Sequence, residues 1–201
     1  MRPRVVLVHG LWNPSPLMWP LAARLEAAGY GARVFSYPGR GPHDANVEAL
    51  AGFARDGAAF VAHSLGGLLV LDMLSRHAEI EAHKVVLLGA PVRGCLAGRR
   101  LRSSKLGRWM MGACCALWEE RPARWSRGAP LGVIAGTLPL GLGRVVGGAL
   151  PGANDGVVCV DETTVEGMAE RALVRCGHSM LIASRSVARL VERFLTLGRF
   201  A

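Results

Sequence analysis

The sequence predicts an α/β fold: a mainly parallel sheet of about six strands with helices on both faces. Two observations carry this expectation. Short, continuous apolar runs alternate with segments of helical periodicity along most of the chain. The 26 glycines, set against only 6% aromatic residues, suit a fold with many tight strand-to-helix turns.

The elements follow in order. Residues 5–8 are a Val-rich run bounded by Pro3 and by His9-Gly10, the mark of a strand buried on both faces of a parallel sheet. Residues 17–28 carry apolar side chains at helical spacing and stop at Gly29. Residues 32–37 read as a second strand, closed by Pro38-Gly39. Residues 46–54 read as a helix, 58–62 as a third strand and 65–76 as a strongly apolar helix. Further strands are expected at 84–88, 131–135 and 172–175, and an amphipathic helix at 182–198 presents Ile182, Val187, Leu190, Val191 and Phe194 on one face. The alternation breaks only at 93–129, where basic, Trp-bearing sequence reads as a helical cap inserted into a single domain spanning 1–201.

Composition narrows the class. With 51% hydrophobic and 19% charged residues the chain is globular rather than disordered, and at 201 residues it can bury one sizeable core. The apolar run at 5–8 is too short for a secretory signal, and no run reaches the roughly 18 residues of a membrane span. The five cysteines, Cys95, Cys114, Cys115, Cys159 and Cys176, match neither a disulfide framework nor paired zinc ligands. They read as reduced thiols of a cytoplasmic protein. The net charge of +9 is concentrated: residues 93–127 hold nine basic and two acidic side chains. That segment has three readings: a solvated cap, a surface contacting anionic membrane, or a nucleic-acid patch. No recognisable nucleic-acid fold accompanies the last, so nucleic acid is the least favoured partner.

The chemistry centres on Phe60-Val61-Ala62-His63-Ser64-Leu65-Gly66-Gly67, which lies between a buried strand and an apolar helix. A serine at such a junction stands on a sharp turn at the carboxyl edge of the sheet, beside the positive end of a helix. The segment resembles the nucleophile elbow of the α/β-hydrolase family and departs from its Gly-x-Ser-x-Gly pattern only in having Ala62 first. The resemblance extends to His9-Gly10-Leu11-Trp12, Leu88-Gly89-Ala90-Pro91, the Asn154-Asp155-Gly156 turn and Cys176-Gly177-His178, and it covers nearly the whole chain outside 93–129.

The resemblance implies a lipase- or esterase-like serine hydrolase that needs no cofactor or metal. Ser64 would be the nucleophile, His178 the base and Asp155 the acid, in the family's chain order of Ser, acid, His. Asp161 and Glu162 stay open as alternative acids. The backbone amides of Leu11 and Leu65 would form the oxyanion hole. His9 reads as a support for its turn, and His43, His77 and His83 as surface histidines. Residues 137–151, rich in Gly and Leu, read either as lining for an apolar acyl pocket or as an ordinary loop. The substrate class is a small acyl ester or lipid. Thioester or amide hydrolysis by the same residues is the rival chemistry, and a non-catalytic membrane-associated module is the rival class.

Overall fold

The computed structural model describes residues 4–140 and 148–201. Six strands form one sheet in the order β2-β1-β3-β4-β5-β6, and every neighbouring pair is parallel. The strands are β1 (Arg4–Val8), β2 (Gly31–Phe35), β3 (Ala58–His63), β4 (Ala82–Leu88), β5 (Leu131–Gly136) and β6 (Glu170–Val174). The helices are α1 (Trp19–Ala27), α2 (His43–Ala54), α3 (Leu65–Arg76), α4 (Leu96–Arg102), α5 (Lys105–Met111) and, last in the chain, α6 (Arg185–Leu197).

Strand alternation divides the core into two layers. Val6 and Val8 of β1 join Phe60 and Ala62 of β3 beneath α2 and α3. Val5 and Leu7 point the other way and join Ala59 and Val61 beneath α1 and α6. All four β1 residues named here are fully buried, and each such Val or Leu contributes roughly 1.5–3 kcal/mol relative to an exposed position. The edge strands β2 and β6 instead alternate between exposed and half-buried residues, except that Phe35 at the end of β2 is buried in the core; each has a neighbour on one side only.

Several boundaries differ from the sequence reading. The second strand ends at Phe35 rather than at residue 37. Tyr37 leaves the ladder because its amide donates to His9 Nε2 (3.3 Å) and its hydroxyl to the His9 carbonyl (2.8 Å). The sixth strand starts earlier than expected, at Glu170. The last helix starts at Arg185, where the Ser184 hydroxyl accepts the Val187 amide; residues His178–Ile182 form a separate 3-10 turn. The 93–129 segment is helical only as far as Trp118. Beyond it the chain runs extended, bridges to Glu166 at Arg124 and returns to the amino edge of the sheet, where Arg127 donates to the carbonyls of Ala78 and Ile80.

Candidate active site

The turn between β3 and α3 is tightly constrained. Ser64 adopts φ 54°, ψ −124°, a left-handed conformation that costs a non-glycine residue about 1–3 kcal/mol and persists only where its surroundings enforce it. β3 is buried along its whole length, and the Ser64 amide is held by the Leu88 carbonyl at 3.0 Å. The two following glycines set the close approach of α3. A Cβ on Gly66 would lie 2.5 Å from the His9 carbonyl oxygen, and one on Gly67 would lie 2.4 Å from Ala90 Cβ. Ala62 is fully buried in the layer under α3, so its methyl has a packed place there.

Connections from three strands meet at this carboxyl edge. Ser64 Oγ donates to His178 Nε2 at 3.0 Å, and His178 Nδ1 donates to Asp155 Oδ2 at 2.8 Å. These directions follow from the acceptor-only carboxylate. The other carboxylate oxygen of Asp155 accepts the amides of Val157 (3.0 Å) and Val158 (2.7 Å). The Asp155 carbonyl in turn accepts the His178 amide at 2.9 Å. Asp155 is 1% exposed, and Ser64 and His178 are each 8% exposed. The acid loop turns because Asn154 Oδ1 accepts the Gly156 amide and Gly156 adopts φ 92°.

The alternative acids are occupied elsewhere. Glu162 accepts the amides of Leu96 and Cys159, and burial raises its pKa above the usual carboxylate value. Asp161 is exposed. Leu65 opens α3, where a helix offers its amide no internal acceptor. The Leu11 amide likewise has no intramolecular acceptor among the described residues. Trp12 follows with φ 59°, and its indole donates to the Met110 carbonyl at 3.0 Å, which fastens the turn after β1 to α5.

His9 supports that turn, as read from the sequence. Its Nδ1 donates to the Gly10 carbonyl at 2.9 Å, and its ring stacks on Tyr37 at 4.3 Å. Burial lowers its pKa. His43 corrects the sequence reading: its side chain is only 12% exposed and pairs with Asp72 at 2.7 Å. Residues 137–151 fall partly outside the described residues, since 141–147 are not among them. Of the rest, Leu138 donates to the Cys176 carbonyl, and the Leu140 carbonyl lies beside Gly177. No group of three or more His, Cys, Asp or Glu side chains among the described residues is placed to hold a metal ion.

Two residues at the site had no assigned role in the sequence. His63 is fully buried, and its Nε2 donates to the backbone carbonyl of His178 at 3.1 Å. Its Nδ1 accepts from Asn13 Nδ2 at 3.1 Å, and the His63 and His178 rings lie 4.7 Å apart. His63 therefore joins the turn after β1 to the backbone of His178. Burial, reinforced by the neighbouring His178, holds its pKa well below the ordinary value, so the ring is neutral. No local sequence pattern marks this link, because His63 ends β3 beside the nucleophile and its partner Asn13 lies 50 residues away.

The chain matches the model of the alpha/beta hydrolase family over residues 5–193. It is 37% identical over 95 residues to the pimeloyl-[acyl-carrier protein] methyl ester esterase of Aromatoleum aromaticum, a match that covers 44% of this chain and 37% of that protein. Among solved structures, the mature lipase BlEst2 of Bacillus licheniformis superposes with a TM-score of 0.73 at 16% identity, covering 98% of this chain and 92% of that one. Phospholipase PlaB of Legionella pneumophila gives 0.75 at 16% identity, covering 98% of this chain and 60% of that one. At such identities the superpositions speak for fold alone, and they agree with the family match: this chain belongs to the alpha/beta hydrolase family.

Proposed function

We propose that the protein is a serine esterase that cleaves carboxylic esters through an acyl-enzyme. The observation that carries this reading is the unbroken hydrogen-bonded series from Ser64 Oγ through His178 to the buried Asp155. Ser64 Oγ attacks the ester carbonyl while His178 Nε2 takes its proton. Asp155 fixes the tautomer that leaves Nε2 free to accept, and it stabilises the imidazolium that forms. The amides of Leu11 and Leu65 hold the oxyanion, a contribution of about 3 kcal/mol for each donor. His178 then protonates the departing alkoxide and the alcohol leaves. Water attacks the acyl-Ser64 carbonyl as His178 takes its proton. The tetrahedral intermediate collapses, His178 returns the proton to Ser64 and the carboxylic acid is released.

The unpaired cysteines fit a reducing cytoplasm, and among the described residues no helix is long and apolar enough to cross a membrane. A methyl ester is the substrate named for the curated relative, so esters of short alcohols are the first to assay. Hydrolysis of p-nitrophenyl esters should fall by ~10⁵-fold or more in Ser64→Ala while the fold is retained. Equal activity in that variant refutes the assignment. Acyl thioesters and amides run in the same panel. Faster turnover of either class would move the function to that bond, and no turnover of any would favour a non-catalytic module.

A further inference from the structure

The large apolar side chains left in solvent are not scattered. Among the described residues, all except Leu173 and Leu197 lie on connections that leave the carboxyl edge of the sheet, the edge that carries Ser64 and His178. Trp12, Leu17 and Trp19 follow β1, Leu140 follows β5 and Met180 follows His178. Leu106 (65% exposed) and Trp109 (67%) stand three residues apart on α5, on one side of that helix. The contacts of α5 bring it to the same edge: Met110 accepts the Trp12 indole, and Arg40, soon after β2, lies over the Trp109 ring at 5.2 Å.

The charged side chains on α5 itself, beside Leu106 and Trp109, are basic. The structure removes much of the basic segment from consideration. Arg99 and Arg102 are paired with Glu120 and Glu119, Arg121 and Arg124 with Asp72 and Glu166, and Arg127 sits at the opposite edge. Trp118 and Trp125 are buried. What stays beside Leu106 and Trp109 are exposed Lys105, Arg108 and Arg40. The two arginines bond to carbonyl oxygens, and neither is in an ion pair with a carboxylate among the described residues.

From this arrangement we infer that the α5 edge docks on an anionic lipid surface, with the entrance to Ser64 turned toward it. Protruding indole and leucyl side chains with flanking cations match such a surface on two counts. The acyl boundary takes the apolar groups, and the headgroups take the charge. The edge thus brings Ser64 to where acyl esters are concentrated, although docking itself needs no turnover.

The test is co-sedimentation with vesicles of phosphatidylglycerol and phosphatidylcholine against vesicles of phosphatidylcholine alone, using both the wild-type protein and Ser64→Ala. Binding should favour the anionic vesicles by ~10-fold or more, equally in both proteins, and weaken steeply with added salt. Leu106→Ser with Trp109→Ser should reduce binding by ~10-fold or more while hydrolysis of a dispersed short-chain ester is unchanged. Lys105→Glu, at an exposed position, should lower the anionic preference alone. Equal binding to both vesicle types, no binding to either, or wild-type binding by the double variant overturns the proposal. A protein that binds as expected but turns over no ester leaves docking standing and removes the esterase assignment.

Discussion

Burial of His63 makes the fold acid-sensitive in a definite window. Both its ring nitrogens are engaged in the neutral form, and its pKa in the folded protein lies well below 6.5. As pH falls through 6.5 the unfolded chain takes up a proton that folded His63 refuses, so stability is lost in the acid direction. Between about pH 7.5 and 5.5, one group of this kind contributes a loss on the order of 1 kcal/mol. His9, also lowered by burial, adds in the same sense. His77, raised chiefly by its hydrogen bond to Glu79, works in the opposite sense but is shared by both proteins in the comparison below. His63→Gln keeps a polar group but cannot titrate. It should start less stable at about pH 7.5, by about 1–3 kcal/mol for the buried groups left without partners. The gap to wild type should then narrow by an amount on the order of 1 kcal/mol at about pH 5.5. Urea unfolding of both proteins at the two pH values reads this directly. Parallel pH dependences would refute the neutral, buried assignment of His63.

Other outcomes follow from single contacts. In Asp155→Asn the amide oxygen can still accept from Val157 and Val158, while its NH2 group faces His178 Nδ1 and imposes the wrong tautomer. The value of kcat should fall by ~10⁴-fold with little change in melting temperature, and a loss of activity that merely tracks unfolding would contradict this. Gly10→Ala would set a Cβ 2.8 Å from Ser64 Cβ and 3.1 Å from His63 Nδ1. The Leu11 turn must then shift, so kcat should drop by ~10²–10³-fold with KM moving much less; steady-state kinetics separates the two. Gly198→Ala meets no atom closer than 3.5 Å but must hold φ 74°. It should cost roughly 1–2 kcal/mol in unfolding experiments and leave activity unchanged.

Legibility in the sequence tracked burial and local connection. β1 and β3 could be read because strands buried on both faces become continuous apolar runs, and β3 ends at its turn as expected. β2 and β6 were misjudged at their ends because an edge strand alternates only weakly, and Tyr37 obeys His9 rather than the ladder. The sequence signals for Ser64, Asp155 and His178 were turns of distinctive residues. Ser64 directly follows β3 and His178 lies shortly after β6, whereas Asp155 is far along the connection after β5, and the structure brings the three side chains within hydrogen-bond reach. His63 and Asn13 had no such signal: their link joins two segments 50 residues apart, and no local pattern records it. The basic segment misled in one respect. Net charge does not say which arginines find carboxylates, and most of those in 93–127 do or turn away from the edge.

Active-site labelling with a fluorophosphonate tests the esterase proposal most directly, since the probe reports an activated serine without requiring the natural substrate. Treated protein should gain one phosphonyl adduct, mapped by peptide mass spectrometry to Ser64. The adduct should be absent from Ser64→Ala and strongly slowed in His178→Ala. A folded protein that remains unlabelled, or an adduct carried by another residue, would contradict the proposal.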